Sequence, residues 1–98
     1  MITAIVVTVA LFAALAIAQS VWLIHNHRVF CRFKRQWEAA EAEWNAARMR
    51  GDSPAMKLAY KREEIAIAAE RAVHRDQWLP PWKWIGRWSH DYLAEGER

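Results

Sequence analysis

Apolar and polar positions divide this chain into two unlike parts. From Met1 to Ile24 there is no charged side chain, and Thr3, Thr8, Gln19 and Ser20 are the main polar interruptions in a run of Ile, Val, Leu, Phe and Ala. At 1.5 Å of rise per residue, Ile2 to Ile24 reaches roughly 34 Å, enough to cross a hydrocarbon core of about 30 Å. In lipid such a run is helical, because only a helix satisfies its own backbone groups there. The pattern predicts a transmembrane helix over residues 1–25. A cleaved signal peptide is the competing reading, since Ala16-Ile17-Ala18 has the small-x-small spacing of a cleavage site. No basic residue precedes the run, however, and it continues through Val21, Trp22, Leu23 and Ile24, which favours an uncleaved anchor. Ala10, Ala14 and Ala18 recur every fourth residue and form a smooth face on which a partner helix in the membrane can pack closely.

Beyond the span the pattern is helical and clearly punctuated. Phe30, Trp37 and Trp44 repeat with heptad spacing, and Phe33, Ala40 and Ala47 repeat likewise, offset by three residues. Gly51-Asp52-Ser53-Pro54 then stops one helix and starts another: Gly suits the left-handed position past a helix end, Ser53 can cap, and Pro54 fits a first turn. A second helix is predicted from Pro54 to Trp78, ended by Pro80-Pro81. Residues 26–79 therefore read as an antiparallel, coiled-coil-like hairpin with its turn at 51–53. Its two helices are of equal length, so the second returns the chain to the level at which the first leaves the membrane. Phe30, Phe33, Trp37, Ala40, Trp44 and Ala47 are expected to pack against Ile65, Ala69 and Ala72. This pairing places Trp44 near Tyr60, Trp37 near Ile67 and Phe30 near Val73 or His74. Two helices alone bury little apolar surface, so the hairpin is expected to lean on a partner or on copies of itself.

Residues 80–98 form a third segment dense in tryptophan. Trp82, Ile85, Trp88 and Tyr92 fall on one face of a short helix, with Lys83, Arg87 and Asp91 directed elsewhere. Beside a bilayer, Trp favours the interface and Lys and Arg attract anionic headgroups, which predicts an amphipathic helix lying on the membrane surface. Two other roles suit the same residues: a docking patch for a partner protein, or a cap on the open base of the hairpin. Trp78, Trp82, Trp84, Ile85, Arg87, Trp88 and Tyr92 are the candidates for this lipid or partner contact. The predicted fold class is all-α: one N-terminal span continuing into a helical hairpin, then a Trp-rich tail.

Composition and charge then narrow the picture. Ninety-eight residues allow one small domain. The overall 54% of hydrophobic side chains averages two very different halves. The single cysteine, Cys31, rules out an internal disulfide. The net charge is +3 and the sequence pI about 9.4, but the basic excess sits at Arg28, Arg32, Lys34 and Arg35, before the first acid at Glu38. Positive charge directly after a span predicts a cytoplasmic C-terminal portion and an outside N-terminus, with these four side chains touching headgroups. That explains the basicity without nucleic acid. Arg outnumbers Lys and Ala is plentiful, a lean towards a GC-rich bacterial source and hence a bacterial inner membrane.

Candidate chemistry is sparse. His27 and Cys31 share a helix face, His74 returns to about the same height and His25 is near, but no ligand pair has the spacing of a metal site. His25 and His27 lie at the end of the span rather than inside it, which argues against haem or pigment ligation. Gly86 and Gly96 belong to no phosphate-binding loop, no nucleophile–base pattern appears, and Glu63-Glu64 read as a solvated face. No metal, cofactor, small-molecule substrate or catalysis is expected. The function expected from sequence is a non-catalytic accessory or scaffold subunit that docks on or stabilises a larger membrane assembly, with lipid and other membrane subunits, or copies of itself, as partners. The alternatives are a phage or viral membrane protein of virion or lysis, a self-assembling membrane array, or a haem-, metal- or pigment-binding subunit.

Overall fold

No Gly or Pro interrupts the first fifty residues, and they form one continuous helix, α1 (Ile2–Arg50), of 49 residues. The structure is a computed structural model that describes residues 1–97; Arg98, the last residue of the predicted tail, lies outside them. Gly51 ends α1 in the left-handed conformation (φ 69°), a geometry that costs a side chain with Cβ about 1 kcal/mol or more. The Gly51 N–H bonds to the Arg48 carbonyl (3.1 Å) and the Asp52 N–H to the Ala47 carbonyl (3.0 Å), the paired bonds of a Schellman motif. Helix α2 (Ser53–Arg75) starts at once, and its cap is Asp52 rather than Ser53: Asp52 Oδ1 accepts from the Ala55 N–H (3.2 Å). A 3-10 turn, Asp76–Trp78, follows. Pro80 then holds Leu79 extended. Helix α3 (Pro81–Trp84) continues into a second 3-10 turn, Ile85–Arg87, and α4 (Tyr92–Gly96) closes the chain. No strand occurs among the described residues, and the all-α class is as the sequence predicts.

Helix α2 runs antiparallel along the C-terminal part of α1. The buried positions on α1 are Trp22, Asn26, Phe33, Ala40 and Ala47; on α2 they are Ala59, Ala66, Ala69, Ala72 and Val73. Asn26, Phe33, Ala40 and Ala47 are each seven residues apart, as are Ala59, Ala66 and Val73. Of the two heptad lines in the sequence, the Phe33–Ala40–Ala47 line is the seam. Phe30, Trp37 and Trp44 are half-buried along its flank, as is Ile65. The reason is steric: alanine lines on both helices let the backbones approach closely, and no indole fits between them. Trp44 and Tyr60 border one groove, and the Phe30 ring lies 6.2 Å from His74, in line with the expected register.

Alanine seams bury little area, so the larger side chains at the open end matter more. Phe33 packs with Ala69, Ala72, Val73 and Tyr92, fringed by Val29, Phe30 and Leu93. Tyr92 comes from α4, edge-on to Phe33 at 6.4 Å between ring centres. The tail thus completes the core of the hairpin. The whole forms a rod with extents of 74 × 22 × 15 Å. Every residue from Met1 to Ile17 is exposed.

Candidate membrane and partner surface

Four side chains of α1 fix the returning chain at the level where its cover begins. Gln19 Nε2 donates to the Leu79 carbonyl (2.9 Å), Trp22 Nε1 to the Asp76 carbonyl (3.0 Å) and Asn26 Nδ2 to the Val73 carbonyl (2.9 Å). His25 Nε2–H donates to the Trp88 carbonyl (2.9 Å). The Val73 carbonyl also accepts a backbone N–H at the end of α2, so buried Asn26 adds a second donor to it and pins that end of α2 to α1. Gln19 and Asn26 extend the line of Phe33, Ala40 and Ala47 backwards at the same spacing. That was the available sequence signal for both, hidden because the residues are polar.

The tryptophans sort into two sets. Trp22 stacks on Trp84 with ring centres 5.5 Å apart and planes within 7°, and His25 stacks on Trp88 at 3.8 Å and 10°. Trp84 and Trp88 each also approach Trp22 or one another at a tilt, so the four rings form one aromatic knot against α1. Trp78, Trp82 and Ile85 point away and are 72%, 74% and 66% exposed. The single face expected for Trp82, Ile85, Trp88 and Tyr92 does not exist. The helical stretch beginning at Pro81 ends at Arg87. Asp91 then starts a new helix by accepting from the Leu93 and Ala94 N–H groups, and this turns Tyr92 into the core.

A polar node lies behind the knot. Asp76, 5% exposed, accepts from Arg75 Nε (3.2 Å) at Oδ1, and from Arg87 Nε (2.7 Å) and the Tyr92 hydroxyl (2.9 Å) at Oδ2. Glu95 accepts from Arg75 Nη2 (2.9 Å), Arg87 Nη2 (3.4 Å) and His90 Nε2 (3.0 Å). Burial alone pushes the Asp76 carboxyl up, but the bonds from Arg75, Tyr92 and Arg87 outweigh it and hold the group below its ordinary value. Burial, then the bond to Asp76, pushes the Tyr92 hydroxyl up to about 12. The bond from His90, followed by that from Arg75, holds Glu95 low. Arg87, expected at a lipid or partner surface, is instead a half-buried clamp between the two carboxylates. Asp76, Arg75, His90 and Glu95 carried no recognisable sequence signal, because their partners are brought together only when the tail folds back.

The remaining predicted positions fall as follows. Arg28, Arg32, Lys34 and Arg35 are all exposed, Arg32 with its guanidinium 5.2 Å from the centre of the Phe33 ring. Ala10 and Ala14 are exposed and Ala18 half-buried. His27 Nε2 and Cys31 Sγ lie 3.5 Å apart, while His74 faces Phe30. No group of three or more His, Cys, Asp or Glu side chains with metal-holding geometry occurs among the described residues. Within the described residues, the Nε1 atoms of Trp37 and Trp84 are buried without a hydrogen-bond partner.

Helix α1 is long and apolar enough in its N-terminal part to cross a membrane, and that part has no cover within the protein. Compared with protein-family models, curated proteins and solved structures, the chain matches none.

Proposed function

We propose that the protein is a single-pass membrane accessory or scaffold subunit, non-catalytic, which holds a helical hairpin against a larger membrane assembly. One observation carries this reading: α1 is a single helix whose first third is bare and apolar, while along the rest α2 and the tail cover one face. In water an uncovered apolar helix of that length is an aggregation liability, and in a bilayer it is a solvated span. The hairpin then stands off the membrane surface as a presented module. The charge after the span supports a cytoplasmic hairpin in a bacterial inner membrane, with the N-terminus outside. The strongest polar cluster favours a structural role, since both Asp76 carboxylate oxygens and those of Glu95 are engaged by side chains of the same node.

Purification of the tagged protein in mild detergent, with size analysis and identification of companions, tests the assignment. A heterologous complex in fixed ratio is expected. A homogeneous self-oligomer without a companion contradicts it and favours a membrane array.

A further inference from the structure

The outward half of the tryptophan tail has a definite height along α1. Leu79 is tied to Gln19, the Asp76 carbonyl is tied to Trp22, and Trp84 is stacked on Trp22. Trp78, Trp82 and Ile85, within a turn or so of those anchored residues, therefore flank α1 beside Gln19–Trp22. Counted from Ile2, a hydrocarbon thickness of about 30 Å is used up after roughly 20 residues, that is at Val21 or Trp22. The thickness of a hydrocarbon core counted along α1 and the hydrogen bonds that seat the tail thus meet at the same height, a few residues past Ile17, where the bare stretch of helix ends.

We propose that Trp78, Trp82 and Ile85 form a ledge that seats in the interfacial layer of an anionic phospholipid leaflet, with Lys83 and Arg28 meeting its headgroups. The proposal rests on the single-span reading and adds a second attachment point to it. The ledge continues the apolar surface of the span, and amphipathic indoles are favoured at that boundary. Charge complements it. Arg28, Arg32 and Lys83 form no ion pair among the described residues, whereas Arg62, Arg75 and Arg87 do. Arg28 lies about 9 Å along the axis from Trp22, and helical side chains lean towards the N-terminus, here towards the membrane. Lys34 and Arg35 lie about 18 to 20 Å from Trp22, beyond a headgroup layer of several ångströms. Headgroup contact thus narrows from the four basic residues after the span to Arg28, with Lys83 joining from the tail. A span held at two points resists sliding and tilting, which fixes the height at which the hairpin is presented.

The test uses the full chain with Cys31→Ser, reconstituted in vesicles of phosphatidylglycerol and phosphatidylcholine. An environment-sensitive fluorophore is placed in turn on Gly86→Cys, Ala10→Cys and Ser53→Cys. At Gly86 an added Cβ meets nothing within 4 Å, so the ledge itself is left intact. Lipids spin-labelled near the headgroup are expected to quench the probe at 86 most strongly, lipids labelled near the chain centre the probe at 10, and neither the probe at 53. Because the bonds to α1 still hold the tail at its height, replacing Trp78, Trp82 and Ile85 together with Ser should weaken quenching at 86 and leave it unchanged at 10; undiminished quenching at 86 overturns the role of these three side chains. A quenched probe at 10 with an unquenched probe at 86 overturns the ledge and keeps the span. No quenching at either position overturns the span, and the ledge with it. Equal quenching at 86 in vesicles of phosphatidylcholine alone overturns the anionic preference.

Discussion

Asp76 is where the hairpin and the tail meet: its carbonyl holds Trp22 and its carboxylate holds Arg75, Arg87 and Tyr92. The pH dependence of stability follows from these bonds. A carboxyl held low in the folded state stabilises it above the unfolded pKa, and that contribution fades as pH falls through the folded value. Asp76 and Glu95 both have this sign, so unfolding should become easier below about pH 4. Tyr92 has the opposite sign: with the folded hydroxyl raised to about 12, stability declines as pH rises from the unfolded value of about 10. Thermal melts of the detergent-solubilised protein across pH should show both limbs. Tyr92→Phe should cost about 1 kcal/mol near neutrality and reduce the alkaline limb. An alkaline limb of unchanged size in that variant would remove Tyr92 from the account. Gly51→Ala is expected to cost about 1 kcal/mol through its positive φ, with no clash to relieve.

At the scale of elements, stability rests on the alanine seam and on the aromatic plug at its open end. Phe33→Ala should cost about 3 to 5 kcal/mol, because it empties the cluster shared by Val73 and Tyr92. Ala40→Leu or Ala66→Leu should cost about 1 to 3 kcal/mol by prising the helices apart. Trp37→Ala, on the flank, should cost less than either Phe33→Ala or Ala66→Leu. Denaturant melts followed by circular dichroism give this ranking directly, and a reversed order would place the seam on the tryptophan line.

The same comparison shows how far elements were legible in sequence. The long N-terminal helix, the Gly51 stop and the Pro80-Pro81 break rest on local signals and are readable to within a few residues. Which heptad line would be buried was not, because bulky and small lines have the same period and only the approach of the second helix distinguishes them. Helical-face arithmetic misplaced Tyr92 because it ran one helix through Trp88 and Ser89, where the chain turns and Asp91 caps a new start. Gln19 and Asn26 were passed over because a search for apolar periodicity discards polar residues, even where they donate to a neighbour's carbonyls.

At the scale of the molecule, the protein is a 74 Å rod with one bare apolar end, and the proposed placement puts that end in lipid and the hairpin in water. In that placement the aromatic knot and the proposed ledge fall at the change of medium, with the basic stretch just beyond it. The most direct test is thiol labelling of Ser53→Cys, in a Cys31→Ser background, with a membrane-impermeant reagent on bacterial cells. A single-span protein with a cytoplasmic hairpin is expected in the membrane fraction and labelled at the turn only after the inner membrane is opened. Labelling in intact cells, or recovery of the protein in the soluble fraction, would contradict that placement.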